Sequence, residues 1–175
     1  MIVYKQADSL KDLEQILALQ RCNLPKNISQ EESTKEGFVT VEHTLDNLKS
    51  MNDVCGHIIA VDDGEVMGYA LCMHPKFAED IEVLRPMFKE IETAINDDVP
   101  YMVMGQICVA KSHRGQGIFR KLYQTMKEKL PEGFDTIVTE VDGKNKRSLA
   151  AHAAIGFQEL RRYYAENKEW IIIML

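Results

Sequence analysis

The sequence predicts an α/β (α+β) fold: a mixed sheet with helices on both faces. Three observations predict it. Helix-period segments fill the first third of the chain, and near residue 57 the apolar period changes to that of strands. Asp63-Gly64 sits between two such strand segments, a two-residue hairpin signal. Finally, the apolar segments Tyr101–Val109 and Thr136–Val141 are joined by an amphipathic stretch, so as neighbours they must run parallel.

The elements follow in order. Ile2–Gln6 reads as a short strand. Ser9 can cap a helix to about Gln20, in which Leu10, Leu13, Ile16, Leu17 and Gln20 follow helical spacing. Ser29–Glu36 is a short polar helix with Glu31 and Glu32 in its first turn, and Leu45–Met51 is a further helix. His57–Val61 and Glu65–Met73 are the hairpin strands. Asp80–Thr93 reads as a helix that Pro86 breaks or kinks. Gly117–Leu130 presents Ile118, Phe119, Leu122, Tyr123, Met126 and Leu130 on one face, carries Lys127 and Lys129 at its negative end, and stops at Pro131 and Gly133. Asn145–Ile155 is a helix followed by Gly156. Phe157–Tyr164 and Glu169–Leu175 close the chain as a hairpin, whose apolar end Trp170–Leu175 is either a covered strand or part of a subunit contact.

Composition sets limits on function. The 175 residues carry 21 Lys+Arg against 27 Asp+Glu, a formal net charge of -6, which argues against general binding to nucleic-acid phosphates and suits a cationic small substrate. No apolar run approaches the roughly 20 residues that cross a bilayer, and the N-terminus lacks a secretion pattern. Cys22, Cys55, Cys72 and Cys108 are scattered, show no zinc-ligand spacing and suggest no disulfide framework; His57, His74 and His113 show no metal-ligand spacing either. The expectation is one domain over residues 1–175, soluble, reduced, cytoplasmic and metal-free.

Gln106–Phe119 carries the most chemistry. A strand ends, a polar turn holds Gly115 and Gly117, and a helix begins. Unpaired N–H groups and partial positive charge at a helix start suit a phosphate, glycines allow close approach, and Arg114 adds a cation. The P-loop pattern fails for want of Gly-Lys-Ser/Thr, and the dinucleotide pattern fails at Arg120, where its third glycine belongs. A plain glycine turn with a solvated arginine is the other reading of these residues.

Arg114-Gly115-Gln116-Gly117-Ile118, after the strand ending at Val109, resembles the acyl-CoA pyrophosphate loop of the GNAT superfamily of N-acyltransferases. The family pattern, Arg/Gln-x-x-Gly/Ala-x-Gly/Ala, is matched at Arg114 and Gly117, while Phe119 stands where Gly or Ala is usual. Asn145–His152, ending in Ile155-Gly156-Phe157, resembles the family's Asn…Ala…Tyr…Gly-Phe segment. The resemblance covers nearly the whole chain. It implies a mostly antiparallel sheet whose central parallel pair splays apart. Backbone groups of Ile107, Cys108 and Val109 would then pair with the pantetheine arm of acetyl-CoA, and amides from Arg114 through Gly115, Gln116, Gly117 and Ile118 to Phe119 would take its pyrophosphate. Asn145, with Ser148 on the same helix, would shape the pantetheine end; Asn145 also fits a simple N-cap.

The implied reaction is direct attack of an amine on the thioester. His152 stands where the family's tyrosine protonates the leaving thiolate; it is either that donor or a packed ring. Tyr163 or Tyr164 could supply a phenol instead. Glu140, inside the apolar strand Ile137–Val141, is the candidate base, with a structural carboxylate as its alternative. Gln106 could orient a water, and Cys108 reads as packing. Glu31, Glu32, Glu36, Glu42 and His43 form an acidic segment that could attract a cation or simply face solvent. The leading function is an acetyl-CoA-dependent N-acetyltransferase acting on a primary amine of a small molecule or peptide, as monomer or homodimer, with no nucleic-acid or membrane partner. A non-catalytic acyl-CoA-binding module and an unrelated phosphate-binding domain are the alternatives.

Overall fold

The computed structural model describes residues 1–96 and 99–175. Its elements are β1 (Val3–Gln6), α1 (Leu10–Cys22), α2 (Gln30–Glu36), α3 (Leu45–Asn52), β2 (Ile58–Asp62), β3 (Glu65–Met73), α4 (Arg85–Ala94), β4 (Tyr101–Val109), α5 (Ile118–Glu128), β5 (Thr136–Asp142), α6 (Lys146–Ala153), β6 (Gln158–Ala165) and β7 (Lys168–Met174). The strands form one sheet of order β1-β2-β3-β4-β5-β7-β6. Every neighbouring pair is antiparallel except β4 and β5.

Local chemistry explains most boundaries. The Ser9 hydroxyl accepts a hydrogen bond from the Asp12 N–H at 3.1 Å and starts α1. Asp63 and Gly64 both take positive φ, 49° and 81°, as the tight β2–β3 turn requires. Pro86 does not kink a longer helix. It lies in the first turn of α4, where its fixed φ fits and its missing N–H has no partner to lose, and a separate 3-10 turn, Glu82–Leu84, precedes it. Leu130 lies beyond α5, which ends at Glu128.

Two apolar layers sandwich the sheet. On one face Leu13, Ile16, Leu48, Phe88 and Ile91 pack against Leu71 and Val103. On the other, Ile118, Leu122 and Met126 of α5 cover Ala70, Met102 and Ile137. Each large side chain so buried contributes about 1.5–3 kcal/mol. Gly68 permits the close seat of α5, since a Cβ there would come within 3.1 Å of the Ile118 side chain. Ile171, Ile172 and Ile173 are buried in β7, which lies between β5 and β6; the apolar C-terminal run is therefore a covered strand. No described helix is long and apolar enough to cross a membrane.

The cysteines depart from expectation. Cys55, in the turn after α3, and Cys72, on β3, form a disulfide with Cα atoms 5.8 Å apart. Nothing in their 17-residue spacing announces it; the fold brings the turn over the strand, and both residues join the α5-side core. Cys22 and Cys108 are free. A cross-link closing a loop of this size contributes about 3 kcal/mol. Reduction is expected to lower Tm by about 6–12 °C. The unfolded, non-reduced chain should titrate as two thiols; four thiols and an unchanged Tm would show that the bond does not form in solution.

Candidate active site

The site begins where β4 and β5 part. They pair only at Tyr101–Thr136, Met102–Ile137 and Val103–Val138, although both strands run on, to Val109 and Asp142. Against β3, Ala70 faces Ile107 and Cys72 faces Met104, so β4 carries one extra residue at Gly105-Gln106. Such a bulge bends its strand. It aims Gln106 at α1 and turns the rest of β4 from β5. The Thr139 hydroxyl donates to the Met104 carbonyl at 2.8 Å, where strand pairing has just ended. Beyond that point the β5-facing N–H and C=O groups of Ile107–Val109 have no strand partner.

At the far end of β4 a 3-10 turn, Lys111–His113, leads into Arg114. Gly115 and Gly117 take φ of 75° and 80°, a conformation that side chains disfavour. No side chain caps α5, so its first-turn N–H groups stay free, and a Cβ built on Gly115 or Gly117 would meet nothing within 4 Å. This open helix mouth adjoins a cleft of ≈ 280 Å³. Ile107, Cys108 and Val109 line it from β4, and Arg114, Gly115, Gly117, Ile118 and Phe119 from the loop and α5. Asn145 and Ser148 line it from α6. Gln116 alone of the expected coenzyme residues is not on the wall; its amide donates to the Ser112 carbonyl at 3.3 Å.

Asn145 serves the fold in two ways. Its side-chain oxygen accepts from the Ser148 N–H at 3.1 Å and caps α6, while its amide donates to the Phe38 carbonyl at 3.2 Å. The segment after α2 is thereby tied to the cleft, and Glu36, Gly37, Phe38 and Val39 line it. Arg114 does not project as a free cation. Its Nε donates to the Val109 carbonyl at 3.2 Å, Nη2 to Asn23 Oδ1 at 2.7 Å, and Nη1 faces Glu36 at 3.4 Å and Glu32 at 3.8 Å.

A smaller cavity of ≈ 60 Å³ opens on the other side of the gap, lined by Gly105, Gln106, Thr139, Glu140, Asp142 and Trp170 among others. The two cavities share Phe38, Val39, Ile107, Asn145 and Ser148 as walls, so both border the parted strands. Burial pushes the Glu140 carboxyl up to about 7, and the hydrogen bond from the Tyr163 hydroxyl acts against that rise. Tyr163 is itself held well above the usual phenol range, first by burial and then by the Glu140 charge. It is not among the residues that line either cavity. Tyr164 is 77% exposed and reaches Glu169, away from this cavity.

His152 is a buried ring that borders the smaller cavity. It is 1% exposed and packs edge-on against Phe119, Tyr123 and Phe157. Nδ1 donates to the Ser148 carbonyl at 2.8 Å, which leaves Nε2 to accept from the Tyr123 hydroxyl at 2.7 Å. Burial lowers its pKa to about 4, so it is neutral at pH 7 and its one proton is engaged. Burial pushes the Cys108 thiol up to about 12 and keeps it protonated, as packing demands. Gln106 is fixed as well: its oxygen accepts from Gln20 at 2.9 Å and Tyr69 at 2.6 Å, and its amide donates to the Val41 carbonyl at 2.8 Å.

The acidic segment is mostly neutralised. Glu31 pairs with Lys35, Glu32 with Lys111 and Glu42 with Lys26, while Glu36 faces Arg114; His43 is buried. Carboxylates at the smaller cavity come from Glu140 and Asp142 instead. Sequence reasoning missed Asn23, Thr139, Arg147 and the contacts of Gln106 with Gln20 and Tyr69. Asn23, Thr139 and Gln106 meet partners far along the chain, and Arg147 reaches the cleft only through the fold, so no local pattern marks them.

No curated protein matches the sequence significantly. Solved structures do match in fold. The ribosomal-protein-S18-alanine N-acetyltransferase from Escherichia coli superposes with a TM-score of 0.65 at 14% identity, over 100% of this chain and 93% of the other. Arabidopsis thaliana NAA60 in complex with acetyl-CoA gives 0.66 at 14% identity, over 100% and 99%. Arabidopsis thaliana Naa50, in complex with the bisubstrate analogue CoA-Ac-MVNAL, gives 0.65 at 16%, over 99% and 97%. These superpositions establish a shared fold. The family model described as Acetyltransferase (GNAT) family matches residues 13–157, most of the chain. With its parted strands and open helix mouth, the chain belongs to the acetyltransferase (GNAT) family.

Proposed function

We propose that the protein transfers the acetyl group of acetyl-CoA to a primary amine of a small molecule or peptide by direct attack. The observation that carries this reading is the pair of cavities at the gap between β4 and β5, one at the α5 mouth and one at Glu140, which have five wall residues in common. The residues present fit the coenzyme. Free amides at Gly117, Ile118 and Phe119 suit its diphosphate, and the backbone edge of Ile107–Val109, which lacks a strand partner on the β5 side, suits the amides of its pantetheine arm. Asn145 and Ser148 wall the opposite side.

The amine enters from the Glu140 side. A primary amine is mostly ammonium at pH 7 and must lose a proton to attack. A carboxylate titrating near 7 is matched to that task, and Tyr163 holds it in place. As nitrogen bonds to the acyl carbon, charge on the carbonyl oxygen is met by the β4 N–H of Val109, which faces away from β3. The C–S bond then breaks, and the departing thiolate takes up the proton that the attacking nitrogen sheds as the amide forms, so the coenzyme leaves as its thiol. His152 supports the wall of this site as a packed, neutral ring.

The test is thiol release from acetyl-CoA with a panel of amines that includes peptide N-termini, lysine and polyamines. Turnover with at least one class is expected. CoA binding without turnover on any amine would make the protein a non-catalytic binding module instead.

A further inference from the structure

We propose that Arg147, rather than Arg114, is the cation that receives a phosphate of the coenzyme. The inference rests on the coenzyme reading of the cleft given above. Three basic side chains line that cleft: His113, Arg114 and Arg147. Two are already occupied. The His113 ring lies between the Ser112 hydroxyl, at 2.8 Å from Nδ1, and the Asp62 carboxylate, at 3.5 Å from Nε2. Arg114 uses Nε, Nη1 and Nη2 on Val109, Glu36 and Asn23, as described.

The charge balance sharpens the point. Glu36 is itself a wall of the cleft, so a phosphate approaching Arg114 also approaches that carboxylate. The pair offers little net attraction. The protein as a whole is acidic, with a formal net charge of -6, and an anion with several phosphate charges is repelled at long range. A local uncompensated cation is needed. Arg147, in the first turn of α6, is exposed and lines the cleft; among the described residues it makes no hydrogen bond or ion pair. Its planar fork matches phosphate oxygens, and it faces no carboxylate that would have to be displaced first. Arg114 then acts as a strut that holds α2 to the end of β4.

The experiment measures CoA and dephospho-CoA binding by calorimetry to the wild type, Arg147→Gln and Arg147→Lys. Arg147→Gln is expected to weaken CoA about tenfold, to flatten the dependence of affinity on salt, and to leave Tm unchanged because the side chain supports no contact. Arg147→Lys should recover part of the loss. A loss that persists with dephospho-CoA places the contact at the diphosphate; a loss that vanishes places it at the 3′-phosphate. Arg147→Gln binding both ligands within twofold of the wild type, with the same salt slope, overturns the proposal. Failure of the wild type to bind CoA would instead overturn the coenzyme reading itself.

Discussion

Gly117→Glu is expected to abolish coenzyme binding while leaving the fold in place. Gly117 is the N-cap of α5 at φ 80°, and nothing lies within 4 Å of a Cβ placed there. The substitution therefore creates no collision. It does impose a left-handed backbone on a side-chain-bearing residue, a cost of about 1–2 kcal/mol. The carboxylate itself is welcome at the positive end of the free helix, where it satisfies the same N–H groups that a phosphate would use. The variant thus blocks its own cradle and adds a negative charge facing the diphosphate. A loss of affinity of at least about 100-fold follows, equivalent to about 2.7 kcal/mol. Gly117→Ala is the control, since it bears the same backbone strain without the charge. It should lose a few degrees of Tm yet still be stabilised by CoA in a thermal shift. If Gly117→Glu is stabilised by CoA as strongly as the alanine variant, the diphosphate rests elsewhere.

The second large effect belongs to Glu140. Glu140→Gln is expected to lower kcat by about 10²–10⁴-fold with little change in KM for acetyl-CoA, because the glutamine cannot take the amine proton and lies beyond the coenzyme loop. In the wild type, the rate should rise with pH through about 7, as the carboxyl ionises, and then level off as far as this group is concerned. The variant should lack that rise. Stability offers an independent readout with the opposite sign. The folded state holds the Glu140 proton to about 7 against an ordinary 4.5, so the stability it contributes is full below 4.5 and is lost as pH rises through 7. The loss amounts to about 3 kcal/mol. Glu140→Gln has no charge to bury and escapes it, so its Tm should overtake that of the wild type between pH 5 and pH 8. A fall in kcat of less than about fivefold, with the pH profile unmoved, would make Glu140 a structural carboxylate.

Both expectations draw on residues that the sequence itself picked out, though for unequal reasons. Gly117 was legible because a short strand–turn–helix segment carries its whole meaning locally: two glycines, a preceding apolar strand and an amphipathic run. Glu140 was legible as an anomaly, a carboxylate among apolar strand residues. Its partner Tyr163 was visible only as one of two adjacent tyrosines, since a strand alternates its faces and the choice between Tyr163 and Tyr164 depends on register across β7. That register carries an irregularity between Glu159 and Arg161 that no local pattern announced.

What the sequence determined by itself was the order and type of the elements, the hairpin turn at Asp63-Gly64, the helix caps at Ser9 and Asn145, and the glycine turn that opens α5. All of these rest on interactions within a few residues, where spacing and side-chain chemistry fix the geometry. The tertiary structure decided the rest. It joined Cys55 to Cys72, enclosed His152 among three aromatic rings, and bound Arg114 to Glu36 while leaving Arg147 open. The charge and protonation of such groups depend on which distant segments the sheet order brings against them, and on how much water that contact excludes.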